Sequence, residues 1–424
     1  MSKEPIRFKQ TEIGELPEGW EVKKLGEIAT IKQGGRLGLT KKDYVPEGYP
    51  AFSATGQDGY VSVYEYEGEA IILSSIGAQC GKCFYATGKW TTLANTQIIF
   101  VNPEIANTLF IFYQVNRPNF WMRLGSAQPF IRPSDVKNAK VIIPPLEEQK
   151  RIAGVLRLVD RVAEETRRIV DIYERAKRFA LKRLLTRGVG HTRFKQTEIG
   201  ELPEEWEVKP LREVLSLSQG GIWGDEPDNS VDVFPVLRST EIDHEGNLHL
   251  DSPTMAWRKV PKQKAERYAL KDGDILVVKS SGSAHLLGRV ALFRQQGEQI
   301  FLFSNFLHRL RANDEICNSI FLYYVLISPI AKQTLKQIQE TTSGLRNLPM
   351  DEYLQMPIPL PPLEEQKQIA EMLGTIDAAI ENERRYLGVL EKCKRWLLDN
   401  LLTGKIRLSP EVDEILKGVL PDAF

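Results

Sequence analysis

The sequence predicts an α+β fold: two mixed α/β globular domains joined by two long helices that form an antiparallel coiled coil with pseudo-two-fold symmetry. Three observations predict it. Two sequence blocks each occur twice in the 424 residues, apolar residues recur every three or four positions after the second block, and the segments between the blocks carry short β-rich runs. The composition, 42% apolar and 26% charged, is ordinary for a globular chain.

The duplication defines the organisation of the chain. Residues 7–18 recur unchanged at 193–204, an offset of 186, and the sequence PPLEEQK at 144–150 recurs at 361–367, an offset of 217. Because the second offset is larger, the segment between the blocks is longer in the second half. Two copies are too few for a solenoid, which needs about three. The pattern indicates an internal duplication in which similar frames carry two different bodies.

Each copy of PPLEEQK predicts the start of a long helix. Proline is favoured in the first turn, and the two glutamates suit the positive end of the helix dipole. The apolar spacing that follows is typical of a coiled coil about 60 Å long. Neither helix can bury its stripe alone, so we expect the two to pair. The predicted seam includes Ile152, Leu156, Val159 and Tyr173 in the first helix, and Ile369, Leu373, Ile376 and Leu390 in the second.

These blocks predict five parts of the chain. They are a first domain with its lead-in at 1–143, the first helix and linker at 144–192, a second domain with its lead-in at 193–360, the second helix at 361–404, and a tail at 405–424. We expect the tail to pack beside the first lead-in. Within the bodies, the pattern predicts helices at 107–115 and 318–327 and strands at 70–73, 97–101, 274–278 and 290–293.

Two pairs of polar loops occupy matching places in the two bodies. Small residues, glycines and a terminal cation allow a loop to approach a phosphate or a base edge, and Gln, Asn and Arg suit base edges. A plain structural turn is the alternative interpretation. Candidate DNA-contacting residues are Ser75, Gln79, Lys82, Gln128 and Arg132 in the first body, Lys279, Ser281, Ser283, Arg289, Arg346 and Asn347 in the second, and Arg36, Lys41 and Lys42 as added positive charge.

Other features exclude some classes of function. The 56 basic residues equal the 56 acidic ones, so there is no global nucleic-acid signal. Cys80 and Cys83 form a CxxC pair without a second ligand pair, which favours two reduced thiols over a metal or redox site. No GxSxG, HExxH or GxxxxGK[ST] motif is present, so we expect no catalytic residue and no metal. The N-terminus carries no apolar leader, which predicts a cytoplasmic protein without membrane contact.

The quoted motifs together resemble a known family. The duplicated PLEEQK-x-IA helix entry, the GELPEGW and GELPEEW lead-ins, the strand–glycine loops and the Leu-Leu-Thr helix ends are similar to those of the specificity subunit of type I restriction–modification systems. The resemblance covers about residues 7–408. A stand-alone DNA-binding regulator on the same scaffold, or an enzyme with unrecognised acids, are the alternatives.

The resemblance implies two target recognition domains, each reading one half of a split, asymmetric site in double-stranded DNA. It implies that the helices set the gap between half-sites and dock two methyltransferase subunits, and that restriction–translocase subunits complete the assembly. S-adenosylmethionine, ATP and Mg are expected on those partners, with no cofactor and no catalytic residue in this chain. Since neither body is clearly basic, we expect the isolated chain to bind DNA weakly and in a salt-dependent way.

Overall fold

The computed structural model describes residues 7–227, 232–340 and 347–420. The chain folds into two compact units, one formed by Met1–Arg168 with Arg384–Phe424 and the other by Ile169–Glu383. Each unit therefore combines one body with half of each long helix. The five parts predicted from the sequence are consecutive segments of the chain, unlike these two units. The boundaries of the five parts therefore stay predictions.

The described residues of the first unit form twelve strands, four short helices, the start of the first long helix and the end of the second. A 3₁₀ turn lies at Lys41–Asp43. The elements are β1 Phe8–Thr11, β2 Gly14–Pro17, β3 Glu21–Lys24, α1 Leu25–Ile28, β4 Ala29–Gln33, β5 Tyr49–Ser53, β6 Gly56–Val61, β7 Tyr66–Glu67, β8 Ala70–Ser74, β9 Cys83–Ala86, β10 Lys89–Thr92, β11 Thr96–Val101, α2 Thr108–Val115, α3 Pro133–Asn138, β12 Lys140–Ile143 and α4 Leu146–Arg187.

The second unit follows a similar order, with eleven strands among the residues that the structure describes. Its described 3₁₀ turns lie at Leu211–Val214, Ser239–Glu241 and Ala284–Leu286. The elements are β13 Phe194–Thr197, β14 Gly200–Pro203, β15 Glu207–Pro210, β16 Leu215–Gly220, β17 Val233–Leu237, β18 Ala256–Lys259, α5 Lys262–Tyr268, β19 Ile275–Val278, β20 Val290–Leu292, β21 Leu302–Phe303, β22 Leu307–Ala312, α6 Ser319–Ile327, α7 Pro329–Glu340, α8 Met350–Tyr353, β23 Pro357–Leu360 and α9 Leu363–Leu401; α10 Val412–Val419 follows in the first unit.

Both units are built on a central antiparallel sheet of four strands. Its order is β4-β11-β8-β9 in the first unit and β16-β22-β19-β20 in the second. The central strands β8 and β19 are buried at every position, as their continuous apolar runs predict. A second sheet packs beside each, with the order β6-β5-β10-β7 in the first unit and β18-β17-β21 in the second. The four strands and two body helices predicted from the sequence are confirmed.

Asparagine side chains begin the body helices of both units. Asn107 accepts the backbone N–H of Phe110 at 2.9 Å, and Asn318 accepts that of Phe321 at 3.0 Å. Such caps satisfy N–H groups that have no partner within the helix. The two long helices have 42 and 39 residues. A glycine with positive φ follows each of them, at 61° for Gly188 and 70° for Gly404, which is the usual way to end a helix.

A Tyr–Asp–Lys triad ties the body helix of each unit to both long helices. In the first unit, the Tyr113 hydroxyl donates to Asp160 at 2.8 Å, and Lys394 of α9 forms an ion pair with the same carboxylate. Burial, and then the Asp160 charge, raise the pKa of Tyr113. Arg167 and Glu391 form a further ion pair in this unit. A later residue of α4 thus pairs with an earlier residue of α9, so the predicted antiparallel pairing is confirmed.

The second unit repeats the triad, and its aspartate and lysine are shifted by the offset of the duplicated helices. The Tyr324 hydroxyl donates to Asp377 at 2.8 Å, and Lys177 pairs with Asp377 at 2.5 Å. Asp377 lies 217 residues after its counterpart in the first unit, and Lys177 lies 217 residues before its own. The duplication visible in the sequence is therefore preserved at the level of individual side chains.

A glutamate whose side chain is largely shielded from solvent, 4% exposed in Glu148 and 11% in Glu365, lies at the start of each long helix and binds the lead-in tryptophan. In the first unit, the Trp20 indole donates to Glu148 at 3.1 Å, and Arg407 of the tail binds the same carboxylate at 2.6 and 2.8 Å. Gly404 also lies against Pro17 and Trp20 of the lead-in. The tail thus packs beside the first lead-in, as expected, in its described part; residues 421–424 lie outside it.

The second unit uses a different partner at the equivalent place. The Trp206 indole donates to Glu365 at 3.0 Å, and the cation's place is taken by the imidazole of His191, 2.9 Å from the same carboxylate. The Val189 backbone N–H donates to this glutamate at 2.9 Å. Here the second lead-in follows directly from the end of α4. None of the helices in the described ranges combines the length and apolar content needed to cross a membrane.

Candidate nucleic-acid interface

Two polar loops meet at one end of the central sheet in the first unit. The Ser75 carbonyl, just after β8, accepts the backbone N–H of Ile131 at 2.9 Å. The Gly77 N–H donates to the Pro129 carbonyl at 2.9 Å. These bonds hold the loop after β8 against the segment before α3. Of the predicted contact residues, Ser75 of one loop and Gln128 and Arg132 of the other therefore share a cavity of about 360 Å³, whose lining also includes Gln33, Gln97 and Phe130.

The second unit brings its two loops together in the same way. The Lys279 carbonyl accepts the backbone N–H of Leu348 at 2.6 Å, and Ser280 pairs with Asn347 as a β-bridge. The predicted residue Arg346 lies outside the described residues. A cavity of about 390 Å³ opens beside the first of these loops, and its lining includes Trp223, Arg238, Ser280, Ser281, Asn305 and Phe306.

An arginine oriented by a nearby carboxylate lies at each cavity. In the first unit, Nε and Nη2 of Arg132 donate to Asp135 at 2.9 and 3.2 Å. These hydrogen bonds lower the pKa of Asp135. In the second unit, Nε and Nη2 of Arg238 donate to Glu241 at 3.3 and 2.8 Å. The sequence predicted Arg132 but missed Arg238. An arginine three residues before an acid at the start of a short helix is the common signal.

Positive charge in the first body is partly balanced by neighbouring acids. Arg36 lies 3.6 Å from Glu65, and Lys41 pairs with Asp58 at 2.5 Å. Burial alone would raise the pKa of Asp58, but hydrogen bonds led by that of Lys41 outweigh it and hold the pKa below its ordinary value. Lys42 is exposed on the same short turn. Of these three predicted residues, two hold acidic partners in the free protein.

A second cavity of about 520 Å³ in the first unit adjoins the other side of the loop after β8. Gln79 and Lys82, both predicted, line it together with Arg117 and Arg123, which the sequence analysis missed. Burial lowers the pKa of Arg117, although an arginine remains charged at neutral pH. Three cationic side chains around one cavity can bind a phosphate.

The CxxC thiols line this second cavity as buried groups. Cys80 donates to the Ser75 carbonyl at 3.5 Å, and Cys83 donates to the Val115 carbonyl at 3.8 Å. Burial raises the pKa of Cys83 to about 12, so this thiol is protonated at neutral pH. Within the ranges that the structure describes, no group of three or more His, Cys, Asp or Glu side chains is placed to hold a metal ion.

The remaining predicted residues of the second body differ in what they contact. Arg289 is half-buried, and its Nη1 donates to the carbonyls of Ile242 and Asp243 at 3.3 and 2.8 Å. This guanidinium supports a neighbouring loop. The Ser283 N–H donates to the Ser281 hydroxyl within the loop after β19, at 3.1 Å.

Lys279, the last of these residues, lies near the imidazole of His308. Burial, and then the Lys279 charge, lower the pKa of His308 to about 4. The His308 Nε2 is 2.8 Å from the Ser218 hydroxyl. In the central sheet of the second unit, His308 lies opposite Val277. Gln97 lies opposite Leu73 in the first unit, so it occupies the place equivalent to that of His308.

The predicted seam residues are buried mainly at the start of each long helix. Ile152, Leu156, Ile369 and Leu373 are at most 1% exposed, and they pack against the body of their unit as well as the other helix. Val159, Ile376 and Leu390 are half-buried. Tyr173, by contrast, is 36% exposed. Towards the middle of each helix the apolar stripe is thus only partly covered.

The later half of each long helix presents a stripe of exposed apolar side chains. The two stripes have the same spacing of three and seven residues and are related by the offset of 217. Residues three and seven apart lie on one face of a helix. The exposed residues are Ile169, Ile172 and Phe179 on α4 in the second unit, at 38, 56 and 65%, and Tyr386, Val389 and Trp396 on α9 in the first unit, at 47, 56 and 55%.

Comparison with known proteins gives consistent matches over nearly the whole chain. The family model described as type I restriction modification DNA specificity domain matches residues 17–172 and 203–392. The type I restriction enzyme MjaVIII specificity subunit of Methanocaldococcus jannaschii is 30% identical over 424 residues, which cover 95% of this chain and 96% of that protein. The putative MjaX specificity subunit of the same organism is 30% identical over 439 residues, covering 95% and 97%.

A solved structure has the same fold. The crystal structure of a type I restriction–modification S subunit from M. genitalium superposes with a TM-score of 0.62 at 15% identity. The match covers 95% of this chain and 97% of that chain.

Proposed function

The chain belongs to the type I restriction–modification DNA specificity family, whose role is DNA-sequence recognition, and on that premise we propose that each unit reads one half of a split, asymmetric site in double-stranded DNA. The observation that carries the proposal is the combination of a repeated frame with different loops at the end of each central sheet. The triads and shielded glutamates of the frame recur. The side chains around the two cavities do not.

The different lining of the cavities supports an asymmetric site. Glutamines and Phe130 surround Arg132 in the first unit, whereas Trp223 and Phe306 lie beside Arg238 in the second. Sequence is read by side chains at base edges, so two cavities that are built from different elements and lined by different side chains suit different bases. We therefore expect two unlike half-sites. A palindromic methylated sequence would contradict this proposal.

The exposed stripes support docking of two copies of a methyltransferase subunit. Exposed aromatic and aliphatic side chains in a row, such as Phe179 and Trp396, are typical anchors of protein interfaces. Two stripes related by the internal duplication suit two copies of one partner. Restriction–translocase subunits would join this assembly.

The long helices are proposed to act as a spacer between the half-sites. Helices of 42 and 39 residues extend about 60 Å at 1.5 Å per residue. That exceeds the roughly 34 Å of one DNA turn, so recognition at the two ends of such a spacer suits a site with a gap. Each triad ties a body to both helices. This supports the proposal that the length of the helices determines the gap between the half-sites.

We infer that this chain provides recognition and that the chemistry belongs to its partners. The family's role in DNA-sequence recognition supports this, as does the lack of known catalytic motifs in the sequence. S-adenosylmethionine, ATP and Mg would then be bound by the partner subunits. Purified chain incubated with DNA and either Mg or S-adenosylmethionine should leave the DNA unchanged; cleavage or methylation by the chain alone would contradict the inference.

The test is purification of the tagged chain from its own cells, followed by mapping of methylated adenines in the genome. We expect an adenine methyltransferase at two copies per chain and a methylated site of two unlike halves around a fixed gap. Recovery of the chain alone, with no such site, would favour the stand-alone DNA-binding regulator.

A further inference from the structure

Resting on the proposed function, we propose that the second unit reads a guanine of its half-site through Arg238. The cavity at this residue, of about 390 Å³, lies within the roughly 300–1,000 Å³ typical of small-ligand sites. It adjoins the loop after β19, which the sequence already marked as a DNA-contacting candidate. The sequence analysis did not name Arg238, Trp223 or Phe306.

The Arg238 guanidinium is fixed before any ligand arrives. The side chain of Glu241 is fully buried, and it accepts Nε and Nη2 of Arg238 at 3.3 and 2.8 Å and the Arg238 backbone N–H at 2.8 Å. Nη2 also donates to the Thr254 carbonyl at 2.6 Å. Three hydrogen bonds from the guanidinium, and a fourth from the backbone of the same residue, therefore set the position of a side chain that is itself 30% exposed. An oriented donor loses little conformational entropy on binding.

These bonds leave the two N–H groups of Nη1 on Arg238 without an acceptor among the described residues. Guanine offers two acceptors, O6 and N7, at its major-groove edge, whereas adenine and cytosine present an amino donor there and thymine offers one acceptor beside a methyl group. A fixed pair of donors from one cation therefore favours guanine over the other three bases.

The walls of the cavity suit a base better than a phosphate. Phe306 is 51% exposed, and its carbonyl is held by the N–H groups of Lys279 and Ser280 at 3.0 and 3.1 Å. Trp223 is braced by the Arg258 guanidinium, 4.4 Å from its ring. Aromatic faces exclude water and pack on the apolar parts of bases, which strengthens the hydrogen bonds beside them. A phosphate oxygen would gain nothing from two aromatic walls.

The experiment compares the complete modification complex carrying the native chain with complexes carrying R238A, R238K or F306A. Binding is measured on the mapped site and on the same site with each guanine replaced in turn. The control is Arg212→Ala, which removes an exposed arginine at the 3₁₀ turn Leu211–Val214, away from the cavity. We expect the native complex to prefer guanine at one position by roughly 5- to 150-fold.

R238A should abolish that preference and leave the other positions unchanged, R238K should keep part of it, and the control should keep all of it. Uniform weakening across all sequences, with a smaller salt dependence, would identify a phosphate contact and overturn the proposal. So would half-sites without guanine, or an unchanged preference. If the native complex recognises no split site at all, the proposed function fails, which is a distinct result.

Discussion

The first unit binds Glu148 with Trp20 and the Arg407 guanidinium, whereas the second binds the equivalent Glu365 with Trp206 and an imidazole. The glutamate is repeated because it lies in the duplicated PPLEEQK block, and the tryptophan because it ends the similar GELPEGW and GELPEEW lead-ins. The third partner differs because it belongs to the segment after each long helix. That segment is a C-terminal tail in one unit and a linker to the next lead-in in the other.

This difference teaches where the two units had to stay alike. Contacts that hold a body to the long helices, such as the pairs of Tyr113 with Asp160 and Tyr324 with Asp377, keep the same atoms at the same 2.8 Å. Contacts at the ends of the central sheets have diverged. Under the proposed function, in which the chain sets a gap and reads two half-sites, the first kind of contact has to be constant and the second has to vary.

The largest effect is expected from the exposed stripes. If the two stripes are equivalent docking surfaces, Phe179→Asp or Trp396→Asp should each remove one methyltransferase copy, and the double variant both. Loss of a central aromatic anchor costs about 2 kcal/mol or more, which weakens binding roughly 30-fold. Native mass spectrometry of the purified complex measures the copy number.

Val63→Asp, at an exposed apolar residue of the first body, is the control and should retain two copies. Equal loss of both copies from either single variant would contradict two independent surfaces.

A smaller effect is expected from the shielded glutamates. Glu148→Ala leaves the Trp20 indole N–H buried without an acceptor, which costs about 1–3 kcal/mol of the unit's stability. Glu365→Ala should cost a similar amount in the second unit. Hydrogen exchange checks this, because the loss should reduce amide protection in the lead-in of the changed unit only.

The neighbouring Glu147 and Glu364, which are exposed, supply matched controls, and their alanine variants should stay within about 0.5 kcal/mol of the native chain. Loss of protection in both units from one substitution would mean that the units do not unfold separately.

The smallest effect distinguishes the units by pH. Burial, and then the Lys279 charge, lower the pKa of His308 to about 4, so the unfolded chain, with a histidine pKa near 6.5, binds the proton more readily. The second unit should therefore lose stability as the pH falls from about 6.5 to about 4. His308→Gln installs the residue found at the equivalent place in the first unit and should remove this loss. Thermal unfolding at pH 7.5 and pH 5 measures it; an unchanged pH dependence in the variant would contradict the assignment.

The sequence predicted the long helices, the central strands and both loop pairs because these depend on local patterns. Asn107 and Asn318 begin helices through bonds to residues three positions away, and such spacing is readable in a sequence. The triads were missed because Tyr113, Asp160 and Lys394 come from three distant segments. The offset of 217 residues that relates Asp160 to Asp377 and Lys177 to Lys394 was the available signal.

The candidate site was predicted only in part, for the same reason. Ser75 directly follows an apolar strand, and Arg132 directly precedes a helix. Both residues line the first cavity. Arg289 was predicted as a DNA contact because of its position at the end of its loop. Its guanidinium instead donates to two backbone carbonyls of a neighbouring loop. Arg238 lies at the end of a strand of the second sheet, and only the packing of the two sheets brings it to the loop after β19.

The most direct test of the account lengthens the spacer and maps the methylated site. One heptad is inserted after Arg168 in α4 and another after Glu383 in α9, where both helices pass from one unit to the other. The added 10 Å or so should lengthen the gap by about three base pairs and leave both half-sites unchanged. Altered half-sites, or an unchanged gap in an active complex, would contradict the claim that the helices set the distance between two independent readers.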